Sequence, residues 1–132
     1  MEVTEAEVVK SGMFSSDYVV FHLTTYIQGN DEEFKVQRRD EDFYSLRKVL
    51  LNLFPYTLIP PLPKEQKTKT QEKDMNNRQH IYNRFLTSIS RSEVLKSCRY
   101  VQQFVTIVDK KYFKLEQEAF EKRKFSKLIE DV

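Results

Sequence analysis

From Asp17 to Tyr26 the chain is dense in β-branched and aromatic residues, among them Tyr18, Val19, Val20, Phe21 and Leu23, which is the composition of a strand. Gly29-Asn30-Asp31 supplies turn residues, and Phe34-Lys-Val-Gln-Arg38 then alternates apolar and polar positions as a second strand requires. Val3–Val9 reads as a third strand, joined through Ser11-Gly12. Together these segments predict a three-stranded antiparallel meander.

The period changes after Arg39. Phe43, Leu46, Val49/Leu50 and Leu53 recur at helical spacing, and Asp40-Glu41-Asp42 in front of them suits the donor-rich, positive end of a helix. Pro55 ends that helix. Leu58-Ile-Pro-Pro-Leu-Pro63 can continue neither as helix nor as central strand, so it is expected to be extended and polyproline-like. The polar stretch 64–77 reads as a mobile loop. Ile81, Tyr82, Phe85, Leu86 and Ile89 form the stripe of a second helix, short helices follow near Ser92–Ser97 and Tyr100–Val108, and beyond Asp109 a last helix has Tyr112, Leu115, Ala119 and Phe120 on one side.

Composition narrows the function. The 132 residues make one domain, and two glycines argue against the Gly-rich cradles of dinucleotide and P-loop sites. No apolar run reaches the roughly 18–20 residues of a membrane span, and the first residues are not those of a signal peptide. Cys98 is the single cysteine, which excludes an internal disulfide and a cysteine-based zinc site and makes a reducing, cytoplasmic compartment the economical inference. His22 and His80 have no metal-ligand or nucleophile pattern around them, so neither a catalytic centre, a metal nor a cofactor is expected.

The net charge of +2 conceals an uneven distribution. Residues 1–33 carry one Lys against seven acids, a net of −6, whereas 34–99 carry fourteen Lys and Arg against seven acids, a net of +7. Such polarity can orient a protein on an anionic surface or can be a plain solvated exterior. Within the basic block Arg38-Arg39 closes a strand just before a helix. Guanidinium groups bind phosphate bidentately, and because neighbouring strand residues face opposite ways only one of the pair can enter a given pocket. The alternative is an ion pair with Asp40 or Asp42.

The run Val36-Gln-Arg-Arg-Asp-Glu-Asp-Phe43-Tyr-Ser-Leu46-Arg resembles the strand-to-helix junction of phox-homology (PX) domains, with its Arg-Arg-Tyr/Phe-x-x-Phe-x-x-Leu pattern. Phe54-Pro55 with Ile59-Pro-Pro-Leu-Pro63-Lys64 is similar to the family's proline-rich segment, and Arg78, Tyr82 and Phe85-Leu86 to its Arg-x-x-x-Leu-x-x-Phe-Leu helix. Val94-Leu95-Lys96 with Val101 and Phe104 fits its closing region, so the likeness spans residues 3–108, sorting nexins being the nearest type.

That resemblance implies an α+β fold: a three-stranded antiparallel meander on a helical subdomain of three to four helices, with the Pro-Pro-Leu-Pro loop and, here, an added C-terminal helix. It implies a non-catalytic module that binds a phosphoinositide headgroup in an anionic membrane. The family's residue for the 3-phosphate corresponds to Arg39, that for the 1-phosphate to Lys64, and that for the ring hydroxyls to Arg78. Two positions depart from the pattern. Asp40 stands where an aromatic floors the pocket, and Lys64 comes one step early, Glu65 holding the usual place. At Asp40 a carboxylate either repels phosphate or caps the helix and pairs with an Arg.

The loop after the prolines offers Met75 as its sole apolar residue among Lys64, Lys67, Lys69 and Lys73. Lys67, Lys69 and Lys73 are thus auxiliary membrane contacts of an electrostatic kind, or parts of a solubilising loop. Tyr56, Leu58 and Ile59 read as packing residues rather than as a lipid wedge. The leading function is a membrane-targeting module for phosphatidylinositol 3-phosphate on endosomal membranes, in sorting and trafficking. The second is a PX domain whose pocket Asp40 disables and which binds protein partners of a trafficking complex. Nucleic acid is excluded as a partner, because no aromatic platform accompanies the lysines. Residues 1–108 form the domain, and 109–132 are a helical extension that links to a further domain or packs back, burying Tyr112, Phe113 and Phe120.

Overall fold

The structure, a computed structural model, describes residues 1–10, 12–13, 16–27, 29, 32–65 and 70–122. Strands β1 (Glu2–Val9), β2 (Tyr18–Tyr26) and β3 (Glu33–Arg39) form one antiparallel sheet in the order β1-β2-β3, the expected meander. Val19, Phe21 and Leu23 alternate along β2 onto the buried face, and Val3 and Val36 join them as the cross-strand partners of Leu23. A break in register between Val3 and Glu5 bulges β1.

Five helices follow: α1 (Asp40–Leu53), α2 (Glu72–Arg91), α3 (Glu93–Lys96), α4 (Arg99–Thr106) and α5 (Lys110–Glu121). Helix α1 begins where the acidic triplet requires, and the specific bond runs from the Arg39 backbone N–H to the Asp42 carboxylate at 2.8 Å. No helix or strand spans 58–65. Prolines offer no N–H, so this segment is held by its carbonyls: Pro60 accepts from Arg47 Nε at 3.0 Å and Pro63 from the Tyr44 hydroxyl at 2.7 Å.

Phe43 and Tyr82 stack with centroids 4.1 Å apart, Phe21 meets Tyr82 edge-on at 4.8 Å, and Phe104 meets Phe43 at 5.2 Å, so the sheet, α1, α2 and α4 share one aromatic core.

Four expectations need correction. Residues 72–77 are helical rather than loop, because Glu72 and Asp74 complement the first turn of α2 and Met75 anchors it in the core. Met75 is therefore buried and offers no apolar contact to a membrane. Tyr56 and Leu58 do not pack: both are fully exposed, and Ile59 alone of that trio enters the core, as an extended segment turns successive side chains apart. In α5 the buried face is Phe113, Gln117 and Phe120, while Tyr112, Leu115 and Ala119 are exposed. Phe120 stacks on Tyr100 of α4 at 4.7 Å and Phe113 lies parallel to that ring at 6.3 Å, so the helix lies back on the domain.

Candidate functional site at the junction of β3 and α1

Arg38 and Arg39 end β3 opposite Phe21 and Val20 respectively, so their side chains leave the sheet on different faces. Arg38 follows Phe21 inward and is only 2 % exposed. Its Nε donates to the Phe104 carbonyl at 2.9 Å, Nη1 to that of Gln37 at 2.7 Å and Nη2 to that of Ile107 at 2.6 Å, and the guanidinium covers the Phe113 ring at 3.7 Å. It thereby ties the sheet to the end of α4 and to α5. Burial pulls its pKa down to about 10, with Asp42 and Tyr100 opposing the fall, so it stays protonated at neutral pH. Arg38 is a structural cation.

Arg39 faces the other way, half-exposed, with its guanidinium over the Tyr18 ring at 4.2 Å and its Nε 3.3 Å from Glu41. The expected alternative, a side-chain pair with Asp40 or Asp42, is not what forms. Asp42 is taken up by Lys114 at 2.8 Å and Gln117 at 3.1 Å, both from α5, and by the Arg39 N–H.

Asp40 turns inward, 7 % exposed. One oxygen accepts the Tyr82 hydroxyl at 2.5 Å and the other lies 3.4 Å from Arg78 Nη1. Burial raises its pKa, opposed by the Tyr82 hydrogen bond and by the Arg78 charge. The Tyr82 hydroxyl is pushed up in turn, by burial first and then by Asp40. Of the second expectation for Asp40, the pairing with an arginine forms, whereas the capping bond to the Arg39 N–H is made by Asp42 instead.

Lys64 and Arg78 share a cleft of about 110 Å³, walled by Tyr44, Pro63, Asn77 and Tyr82. Arg39 lines a different cleft, of about 170 Å³, whose wall includes Tyr18, Val20, Phe113 and Lys110. The three anticipated headgroup residues therefore flank Asp40 from two sides and do not line one cavity. Arg78 lies in the second turn of α2 rather than at its start. Lys73 is exposed in the first turn of α2, and Lys67 and Lys69 lie outside the described residues. Tyr82, Tyr44 and the lysines of α5 were not singled out as site residues. Tyr82 read as part of a core stripe, and no local signal brings α5 to β3.

Among the described residues no group of His, Cys, Asp or Glu is placed to hold a metal ion, and no helix is long and apolar enough to cross a membrane. His22 bonds Glu7 at 2.7 Å on the exposed side of the sheet.

A PX domain family model matches residues 26–107, from the end of β2 to the end of α4. The chain belongs to the PX domain family. The crystal structure of a designed CISK-PX domain superposes with a TM-score of 0.67 at 26 % identity, covering 80 % of this chain and 97 % of that one. Autophagy-related protein 20 of Kluyveromyces lactis is 51 % identical over 47 residues, which are 36 % of this chain and 7 % of that protein. The protein of that name from Eremothecium gossypii is 41 % identical over 66 residues, 50 % of this chain and 10 % of its own length. The matched segments thus span a tenth or less of these relatives. The family match ends before α5, so Lys110 and Lys114 lie outside the matched residues, beside the β3–α1 junction.

Proposed function

We propose that this PX domain is a non-catalytic, phosphoinositide-binding membrane-targeting module of the sorting-nexin type, acting in membrane traffic and recognising phosphatidylinositol 3-phosphate on endosomal membranes from the cytoplasmic side. The observation that carries the reading is the pairing of Lys64 with Arg78 in one cleft, with Arg39 across Asp40 at the end of β3. A flexible ammonium and two fixed guanidinium forks are the donors that a phosphorylated inositol needs. Lys73 adds charge toward an anionic surface, and such contact weakens with salt. The relatives' name, autophagy-related protein, agrees with a role in membrane traffic. In this reading residues 1–108 are the lipid-binding unit and α5 an extension docked on it.

A second reading has support of its own. Asp40 already neutralises Arg78, and Tyr56 and Leu58 stand exposed beside the proline segment, as in a domain that binds proteins of a trafficking complex. Co-sedimentation with phosphatidylcholine vesicles carrying single phosphoinositides separates the two. The first requires retention on 3-phosphorylated lipid at low salt that Arg39→Ala and Arg78→Ala abolish. Vesicles that retain nothing, or retention untouched by Arg39→Ala, leave the second.

A further inference from the structure

The cleft on the α5 side of Arg39 has a built character of its own. The Tyr18 ring and Phe113 give it apolar walls, Arg39 lies across Tyr18 at 4.2 Å, and Lys110 stands exposed at its rim with no ion pair among the described residues. One carboxylate, Asp42, lines it, and a second, Glu41, pairs with Arg39. Asp42 is saturated by the Arg39 N–H, Lys114 and Gln117, so it repels an incoming anion less than a free acid would. Glu41 holds Arg39 at 3.3 Å, but both side chains are about half exposed, and a solvent-screened pair of this kind is worth little. A phosphate dianion therefore displaces Glu41 at small cost and gains Lys110 as well.

We infer that this cleft is a phosphate-monoester site, in which Arg39 and Lys110 bind the phosphate, Tyr18 flanks the ring that bears it, and Lys114 adds charge from behind. The inference deepens the proposed lipid reading and rests on it for the source of the phosphate. It makes α5, which lies outside the family match, part of the binding site. It also supplies an aromatic wall in place of the one lost at Asp40, from Tyr18 on β2. The volume of about 170 Å³ admits a phosphate with part of its ring, and the opening leaves the remainder of the headgroup outside.

The test uses the whole chain, with Lys110→Gln and Tyr18→Ala compared with Lys64→Ala and with Lys96→Gln as a control for general surface charge. Lys110 and Lys96 are both exposed, so their variants keep the fold. Binding is measured on vesicles of phosphatidylcholine with phosphatidylinositol 3-phosphate, and by amide NMR with soluble inositol 1,3-bisphosphate. The expected result is a loss of about fivefold or more in affinity for Lys110→Gln, in both assays, with little change for Lys96→Gln. Soluble headgroup should shift the Tyr18, Arg39 and Lys110 amides. If the wild type binds vesicles and Lys64→Ala weakens it while Lys110→Gln and Tyr18→Ala do not, the inference is overturned and the lipid reading stands. Amide shifts at the cleft without vesicle binding support the site and point to a soluble phosphate as the ligand, against the membrane reading. No binding in either assay overturns both.

Discussion

Asp40 and Arg78 meet at 3.4 Å between the first turn of α1 and the second turn of α2, with the Tyr82 hydroxyl on the other carboxylate oxygen. The carboxylate takes up part of the donor set that the Arg78 guanidinium could offer a ligand anion. Asp40→Ala is expected to cost about 1–3 kcal/mol in stability, since a largely buried cation and a hydroxyl each lose a partner. The same variant is expected to raise affinity for phosphoinositide vesicles. Urea unfolding and vesicle binding on one preparation check both, and a loss of stability without any gain in affinity would place Arg78 outside the site.

The pH dependence follows from the same carboxylate. Its folded pKa is raised by burial, so the stability it contributes is complete below the ordinary carboxylate value and is lost as pH rises through the folded value. Unfolding free energy should therefore carry a falling component just above the usual carboxylate range, absent in Asp40→Asn. Urea titrations across acidic to neutral pH measure it.

Arg38 donates to four backbone carbonyls inside the domain, those of Gln37, Gln103, Phe104 and Ile107. Arg38→Leu should cost about 3 kcal/mol or more, because those oxygens stay buried without donors. Arg38→Lys should recover little, as one ammonium cannot span the positions a planar fork reaches. Thermal and urea unfolding distinguish these outcomes from those of Arg39→Ala, which should leave stability within about 0.5 kcal/mol.

Asp42 joins the start of α1 to Lys114 and Gln117 of α5. Asp42→Ala is expected to speed amide hydrogen exchange across Lys110–Glu121 more than in the β-sheet, with a stability loss of about 1–3 kcal/mol. Uniform exchange across the chain would show that the Asp42 contacts are not what holds α5 in place.

Along the proline segment, Ile59→Ala should cost about 2–4 kcal/mol, whereas Tyr56→Ser and Leu58→Ser should change stability by no more than about 0.5 kcal/mol. Denaturant midpoints read the contrast directly.

The meander, the start of α1 and the stripe of α2 were legible along the chain because each is set by a local period: alternation in β2 and β3, helical spacing from Phe43 and from Tyr82. Opposite directions for Arg38 and Arg39 were legible for the same reason. The face of α5 was not. Its charge-balanced sequence offers a stripe with Tyr112 and another with Phe113, and the Tyr100 and Phe104 rings of α4 select the second. The helical start of 72–77 was hidden likewise, since a single Met75 among polar residues shows no period until a core is there to receive it.

The sequence by itself determined the elements of this domain, their order and the residue types at the β3–α1 junction, since backbone preference and burial pattern act between near neighbours. Tertiary structure alone decided that Asp40 pairs with Arg78, that Arg39 turns to Tyr18 and away from the cleft of Lys64, and that Lys110 comes to stand beside it. A buried charge takes whichever counter-charge packing brings within reach, and here those partners come from helices and strands remote along the chain.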